Sequence, residues 1–193
     1  MPRTGWRPTR LAIAPIVLAG LTAAAWADPP VRDLQGRAVD ALDTGAASAV
    51  VLLFIGVDCP ISNRYAPELQ RLYEEYAADD VAFWLVYAGP SDSAASAVTH
   101  RSEYGYRIPA VLDPARTLVN RAGVSVTPEA AVFDADRRVI YRGRIDDRYV
   151  AFGQARPRPT RRDLALVLDA IRDGEPVEPT TTPAIGCFIP EPR

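Results

Sequence analysis

The sequence contains very few of the side chains that bind transition metals, and it contains no lysine. Among its 193 residues are two cysteines and one histidine, His100. Because structural zinc sites take several cysteine or histidine ligands, this composition argues against a multi-ligand zinc or iron centre, and we expect no metal and no cofactor. All 22 basic residues are arginine, which we attribute to coding bias. With 24 acidic residues the net charge is −2, which argues against nucleic acid as a partner.

The first 27 residues have the composition of a secretory signal peptide. Three arginines and no acidic residue precede the apolar stretch LAIAPIVLAGLTAAA, and AWA before Asp28 is a small-x-small cleavage site. We therefore predict a signal peptide over residues 1–27, export to the periplasm or the extracellular space, and no stable membrane insertion after cleavage. The alternative is an uncleaved anchor, although the apolar run is short for a bilayer span. No cysteine directly follows the apolar run, which argues against a lipoprotein anchor at this site.

The rest of the chain is long enough for one domain with a hydrophobic core. Strands that read as buried on both faces alternate with amphipathic helices, and a hairpin and a last helix follow. This order predicts an α/β fold, a three-layer α/β/α sandwich around a mixed sheet. We place the domain at residues 28–173 and an extended, Pro-rich tail at residues 174–193. The predicted strands are 47–57, 81–89 and 108–113, the hairpins 29–42 and 129–146, and the helices 60–78, 91–105, 114–123 and 160–174.

Cys59 follows a buried strand and precedes a predicted helix whose first residue is Pro60. At that position the backbone N–H groups and the helix dipole favour a thiolate, which is the reactive form of cysteine. The Ser62 hydroxyl can donate a hydrogen bond to the sulfur, whereas Asp58 raises the pKa of the thiol unless it points to solvent. We therefore predict that Cys59 is a redox-active nucleophile; the alternative is an inert buried cysteine.

The segment FIGVDCPISNRYAP resembles the active-site turn of the thioredoxin-like superfamily. That family commonly carries a proline eight residues after its first cysteine, and Pro67 lies eight residues after Cys59. The predicted hairpin at 29–42 fits the redoxin branch, which includes the alkyl hydroperoxide reductase and thiol-specific antioxidant proteins. The resemblance covers residues 31–172 and implies a thioredoxin-like fold.

A second segment, GVSVTPEAAVF, resembles the part of the same family that carries a cis-proline loop opposite the cysteine. The resemblance implies that Pro128 is cis and that the Thr127 backbone pairs with an incoming substrate chain near Cys59. It also implies that Pro60 and Ser62 help to shape the substrate site. The alternative for Pro128 is an ordinary trans proline before a strand.

The sequence departs from the family at several informative positions. Ser62 stands where the second cysteine of the active-site turn belongs, so a disulfide within the turn cannot form. Leu52 and Gly56 occupy the proline and threonine positions of the peroxiredoxin pattern, which weakens the case for a dedicated peroxidase. Leu53 replaces the buried aspartate that thioredoxins carry six residues before the cysteine, so that base is missing.

The second sulfur of the chain belongs to Cys187, in the segment AIGCFIP. This segment is an apolar island in a polar, Pro-rich tail, which favours its docking on the domain. Cys187 lies thirteen residues after Gly174, and this length of chain spans at most about 45 Å, so the tail is long enough for Cys187 to reach Cys59. Three alternatives remain open for Cys187: the resolving cysteine of a two-cysteine cycle, half of a permanent disulfide with Cys59, or a free thiol that pairs with another chain.

These features predict an exported thiol-dependent oxidoreductase of the thiol-disulfide oxidoreductase or thiol peroxidase type. Cys59 would attack a disulfide or peroxide, and Cys187 would resolve the product as a disulfide that an external thiol then reduces. The expected partners are therefore an external thiol reductant or a protein disulfide substrate. The alternatives are a copper(I)-binding module and a non-catalytic partner-binding domain, with Cys59 and Cys187 as a ligand pair or a structural disulfide.

Two other features carry weaker predictions. The stretch YRGRIDDRYVAFG at 141–153 concentrates arginine and aspartate, with Arg142 and Arg144 expected on one strand face. We expect a solvated edge with surface ion pairs, and the alternative is a clamp that holds the tail or a partner. We expect His100 to lie exposed on a helix, and we assign it no role.

Overall fold

The computed structural model describes Met1 and residues 31–191, so the predicted signal peptide lies outside the described residues except for Met1. None of the helices in residues 31–191 has the length and hydropathy that a membrane span requires. The helices of this part are α1 (Pro60–Tyr76), α2 (Ala94–Glu103), α3 (Thr117–Ala122) and α4 (Asp163–Arg172). Its strands are β1 (Val31–Asp33), β2 (Ala38–Val39), β3 (Ala49–Ile55), β4 (Val81–Tyr87), β5 (Ala110–Leu112), β6 (Val126–Thr127), β7 (Glu129–Asp134), β8 (Val139–Gly143), β9 (Tyr149–Ala151), β10 (Gln154–Ala155), β11 (Thr180–Thr181) and β12 (Cys187–Phe188).

The main sheet is mixed, as predicted. Its order is β11-β8-β7-β3-β4-β5-β1-β2, with β3, β4 and β5 parallel to one another and β7 antiparallel to β3. The central strand β3 is buried along its whole length, which explains its uninterrupted apolar sequence. Its register places Leu53 beside Leu85 on one side and beside Ala130 on the other. The predicted hairpins are both present, as the antiparallel pairs β1–β2 and β7–β8.

The sheet lies between two layers of apolar side chains, which gives the predicted three-layer sandwich. One face packs against α1, α2 and α4, with residues such as Leu69, Ala97 and Leu164 fully buried. The opposite face packs against α3 and includes Leu118 and Val119. Ile189, from the C-terminal tail, is buried in this second cluster. The tail is therefore part of the hydrophobic core.

Three helix starts, those of α2, α3 and α4, differ from the sequence prediction. Helix α3 begins at Thr117 rather than at Pro114, because the Asp113 carboxylate accepts hydrogen bonds from the Leu118 and Val119 N–H groups and fixes the start there. Arg116, the residue before α3, has a left-handed backbone with φ of 59°. These bonds tie the first turn of α3 to the end of β5.

Helix α4 begins at Asp163, and Thr160 does not cap it. The backbone N–H and the hydroxyl of Thr160 both donate to the Asp147 carboxylate, so neither is available to the helix. Helix α2 begins at Ala94 rather than at 91, and Ser93 caps it: the Ser93 side chain accepts from the Ser96 N–H.

The aspartates of the 141–153 stretch are buried, so the expected solvated edge is wrong for them. Asp146 accepts a hydrogen bond from the Tyr65 hydroxyl, and Asp147 accepts from Thr160. Arg144 pairs at 2.7 Å with Asp163, which is buried at the start of α4. These bonds join the end of β8 to α1 and α4, and their role within residues 31–191 is structural.

Strand β8 holds the first half of the tail through its backbone. Strand β11 pairs with β8 in parallel, and the Thr182 N–H donates to the Arg142 carbonyl at 3.0 Å. Gly143 makes this approach possible, since a Cβ there would lie 2.9 Å from Thr182 N and closer still to its two oxygens. Residues of the 141–153 stretch therefore do hold the tail, as the alternative prediction had it. They hold it through backbone groups and not through the arginine side chains.

Candidate active site

The candidate active site begins with Cys59, at the junction of β3 and α1. Cys59 is the N-cap residue of α1, and its sulfur accepts a hydrogen bond from the Ser62 N–H at 3.4 Å. Pro60 occupies the first helical turn, where its missing N–H leaves no bond unmade. The Cys59 side chain is buried, with 4% of the residue exposed. The helix start therefore directs a backbone donor and the positive end of its dipole at the thiol, as predicted.

The loop that faces Cys59 contains a cis peptide bond between Thr127 and Pro128, as the family resemblance implies. The Cys59 thiol donates a hydrogen bond to the Thr127 carbonyl at 3.0 Å. The carboxylate of Glu129 accepts from the N–H groups of Ser125 and Val126, which fixes the strand that leads into the loop. We call residues 125–128 the cis-proline loop.

Cys187 approaches Cys59 from the tail. Strand β12 pairs antiparallel with β6, and Cys187 lies directly opposite Thr127. The two sulfurs are 2.7 Å apart, and both cysteines are free thiols. Since a disulfide has a sulfur separation of about 2.05 Å, only a small movement is needed to form the bond. The structure therefore brings together the two sulfurs that 127 intervening residues separate in sequence.

The two thiols differ in acidity. Burial raises the pKa of the Cys59 thiol, but its hydrogen bonds with Cys187, Ser62 and Thr127 outweigh burial, so the pKa lies below that of an ordinary cysteine. Burial and the neighbouring Cys59 raise the pKa of Cys187 to about 11. Cys59 is consequently the sulfur that ionises first and is the better nucleophile of the pair.

Ser62 contributes differently from the expectation. The residue is fully buried, and its hydroxyl has no hydrogen-bond partner among the described residues. Its backbone N–H, rather than the hydroxyl, makes the hydrogen bond to Cys59 that the geometry shows. Asp58 is exposed, and it lines the cavity beside the two sulfurs.

Three tail contacts that the sequence did not reveal fix the position of Cys187. Gly186 lies against the cis-proline loop, where a Cβ would come within 2.7 Å of the Thr127 carbonyl carbon and closer still to its oxygen. The Ile189 N–H donates to the Ser125 carbonyl at 3.0 Å. The buried Arg116 guanidinium donates to the Ile189 carbonyl at 3.0 Å and to the next carbonyl at 2.6 Å.

His100 is buried behind the active-site turn, so the expectation of an exposed helix residue is wrong. Its Nε2 bonds to Asn63 Oδ1 at 2.9 Å, and its Nδ1 bonds to the Tyr87 hydroxyl at 2.8 Å. Asn63 Nδ2 then donates to the Val57 carbonyl, while the Val57 N–H donates to Asp92. This network ties the turn before Cys59 to α2 and to the loop that precedes it.

A small cavity of about 150 Å³ opens beside the two sulfurs. Its walls come from the active-site turn, the loop after β4 and the tail, and they include Gly56, Asp92 and Phe188. Burial raises the pKa of Asp92, although N–H groups of Val57 and Gly89 lower it. Among residues 31–191 no group of three or more histidine, cysteine, aspartate or glutamate side chains is placed to hold a metal ion.

Comparison with known proteins gives a family match and a curated relative. The Redoxin family model matches residues 27–151. The thiol-disulfide oxidoreductase ResA of Halalkalibacterium halodurans is 24% identical over 110 residues, which are 57% of this chain and 61% of the relative. The chain thus spans about three fifths of the length of that curated relative.

Solved structures show the same fold. A conserved protein from Geobacillus kaustophilus, itself uncharacterized, superposes with a TM-score of 0.74 at 27% identity, over 86% of this chain and 90% of that chain. A thioredoxin-like protein from Aeropyrum pernix superposes with a TM-score of 0.51 at 18% identity, over 60% of this chain and 80% of that chain. The fold is thioredoxin-like, as predicted.

Proposed function

This chain belongs to the Redoxin family, and on that premise we propose that it is a thiol-disulfide oxidoreductase whose redox centre is the pair Cys59 and Cys187. The observation that carries the proposal is the 2.7 Å separation of the two sulfurs, together with the lower pKa of Cys59. The tail thereby supplies the second cysteine that the active-site turn lacks. The name of the ResA relative supports the same chemistry.

The proposed reaction is two successive thiol-disulfide exchanges. The Cys59 thiolate attacks one sulfur of a substrate disulfide, so that a Cys59–substrate bond forms and the other substrate sulfur leaves as a thiolate that takes up a proton. The Cys187 thiolate then attacks Cys59 Sγ and releases the first substrate sulfur. The substrate is reduced by two electrons, and the Cys59–Cys187 pair is oxidised to a disulfide. An external thiol reductant returns the pair to the dithiol state.

A protein disulfide fits the site better than peroxide does. The cis-proline loop already accepts an extended peptide, the tail, beside Cys59. Leu52 is fully buried in the core and Gly56 has no side chain, so neither position offers a hydroxyl to a peroxide oxygen. Oxidation of Cys59 by peroxide to a sulfenic acid, followed by condensation with Cys187 and loss of water, is the second candidate reaction.

The proposed place of action is outside the cytoplasm. The predicted signal peptide at residues 1–27 and the two cysteines fit an oxidising compartment, in which dithiol proteins exchange disulfides. The domain would then be residues 28–173, and residues 174–193 would be the tail that carries Cys187.

Intact mass and thiol counting test the proposal. The reduced full chain and its Cys187→Ser variant are each treated with one equivalent of glutathione disulfide or of hydrogen peroxide. The products are then alkylated and analysed by mass spectrometry. The proposal predicts a Cys59–Cys187 disulfide in the wild type that dithiothreitol reverses. In the variant it predicts a Cys59–glutathione adduct with glutathione disulfide and a Cys59 sulfenic acid with peroxide. A wild type that keeps both thiols contradicts it. Tight copper(I) binding that Cys59→Ser abolishes, without any disulfide turnover, would instead identify a copper-handling module.

A further inference from the structure

The tail around Cys187 is seated as a bound peptide would be. Cys187 pairs with Thr127 and Phe188 pairs with Val126 in an antiparallel ladder, and the Ile189 N–H extends the ladder to the Ser125 carbonyl. Strand addition of this kind derives affinity from backbone bonds and specificity from the pockets that receive alternate side chains. The tail therefore shows which side chains this groove accepts at each position.

The position before the cysteine accepts no side chain. Gly186 has no left-handed backbone, so its constraint is purely steric. A Cβ there would overlap the Thr127 carbonyl, which belongs to the same loop that contacts Cys59. Any residue with a Cβ at this position would push the strand away from the loop and move the sulfur of the adjacent cysteine out of reach of Cys59.

The two positions after the cysteine differ in burial. Phe188 is 85% exposed, so the groove does not select a side chain at the first position after the cysteine. Ile189 is 7% exposed and packs in the core cluster that includes Leu118 and Val119. Arg116 then holds the Ile189 carbonyl, a backbone group that every residue type offers.

We propose that this groove, when a substrate chain takes the place of the tail, selects protein disulfides in extended segments with glycine before the reacting cysteine and an aliphatic residue two positions after it. The inference rests on the proposed function and goes beyond it by naming the substrate segment. The groove consists of the cis-proline loop, the Arg116 side chain and the cavity beside Cys59. The tail is the internal occupant in the same register.

The tail and the substrate segment exclude each other, which orders the exchange. The substrate enters as the tail leaves, and its cysteine forms the mixed disulfide with Cys59 in the position that Cys187 vacates. When the tail returns, the Cys187 thiolate attacks Cys59 Sγ and the substrate sulfur leaves as a thiolate that takes up a proton. One movement thereby breaks the mixed disulfide and displaces the product from the groove.

Model peptides test the substrate preference. The probe is the acetylated and amidated peptide Ala-Ile-Gly-Cys-Phe-Ile-Pro, whose cysteine carries a 2-thiopyridyl group, and the released thiopyridone reports attack by Cys59. Three peptides replace, one at a time, the glycine with alanine, the phenylalanine with alanine and the second isoleucine with aspartate. The full-length Cys187→Ser chain is used, because its tail competes equally with every peptide. The same ranking is checked on the reduced wild type.

We expect the alanine-for-glycine and aspartate-for-isoleucine peptides to react at least about tenfold more slowly than the parent, since each loses the fit or the burial that the tail shows. The alanine-for-phenylalanine peptide should stay within about twofold of the parent, because that side chain is exposed. Equal rates for all four peptides overturn the inference. The reagent dithiodipyridine, which needs no groove, separates the two proposals. If it reacts with Cys59 no faster than with N-acetylcysteine, the proposed function fails, and the substrate inference fails with it.

Discussion

Gly186 lies so close to the carbonyl of Thr127 that a Cβ on Gly186 would come within 2.7 Å of the carbonyl carbon. This contact sets the distance between strand β12 and the cis-proline loop. Because Cys187 is the next residue, the same contact sets the position of its sulfur beside that of Cys59. We therefore expect this glycine to influence how readily the two thiols meet.

The variant Gly186→Ala should separate the two sulfurs. Overpacking costs about 1–3 kcal/mol, so we expect the Cys59–Cys187 disulfide to form about tenfold more slowly on oxidation. Cys187 should also become more reactive towards iodoacetamide, because the displaced tail exposes it. Stopped-time alkylation with mass analysis measures both rates. Phe188→Ala is the matched control in the same strand; its side chain is exposed, and both rates should match wild type. Equal rates in Gly186→Ala and Phe188→Ala would contradict the steric account.

Arg116 should anchor the end of the tail. The variant Arg116→Asn keeps a residue that tolerates a left-handed backbone and removes the donors to two tail carbonyls. Hydrogen bonds to a charged group contribute about 1.5–3 kcal/mol, so alkylation of Cys187 should accelerate by about tenfold or more. Glu191→Gln is the control, since it removes only the ion pair of Arg116 with an exposed carboxylate. If both variants accelerate alkylation equally, the carbonyl contacts are not the anchor.

Removal of Cys187 should raise the pKa of Cys59. The Cys187 thiol is one of the donors that favour the Cys59 thiolate against burial. The variant Cys187→Ala loses this donor, so the pH at which half of Cys59 is ionised should move upward. The pH dependence of thiolate absorbance, or of the iodoacetamide rate, measures this midpoint. In the reciprocal variant Cys59→Ala, the pKa of Cys187 should fall from about 11, because a charged neighbour is removed. An unchanged midpoint for Cys59 would show that the tail does not influence its acidity.

His100 should make the protein less stable as the pH falls below neutrality. Burial lowers the pKa of His100, despite opposing effects of Asp92, Glu103 and Asp58, so the unfolded chain binds a proton at a higher pH than the folded chain does. The stabilisation is fully present above the unfolded pKa of about 6.5 and is lost as the pH drops below it towards the folded value.

The variant His100→Gln, which keeps a hydrogen-bonding side chain, isolates this effect. Because His100 is the sole histidine of the chain, the decrease in the free energy of unfolding between pH 7 and 5 should be smaller in the variant than in the wild type. Urea unfolding at each pH provides the measurement. Parallel curves for the two proteins would show that His100 does not cause the loss.

Local patterns in the sequence predicted the features that depend on local physics. The apolar run before Cys59 and the proline at the helix start predicted the turn, and the family resemblance implied the cis-proline loop; the structure confirms both. The apolar island AIGCFIP correctly indicated a docked tail, because exposed isoleucine in a polar tail is costly.

Features that arise from long-range packing were not visible in the sequence. Arg116 reaches the tail only because the turn before α3 and the path of the tail bring them together across 73 residues. The prediction that His100 is exposed was wrong because α2 carries no clear apolar stripe, so its buried face could not be identified from the spacing of apolar residues. Gly186 gave no signal either, since its steric role depends on a carbonyl from a distant loop.

The central claim is that Cys59 and Cys187 form one reversible redox couple, and a redox titration tests it most directly. The full chain is equilibrated in glutathione or dithiothreitol buffers of graded potential, quenched with acid, alkylated, and analysed by intact mass and peptide mapping. We predict a single two-electron transition to a Cys59–Cys187 disulfide, at a potential between about −120 and −270 mV, the range of thiol oxidoreductases. A disulfide that stays oxidised below about −300 mV, as structural disulfides do, or two cysteines that titrate independently, would contradict the account.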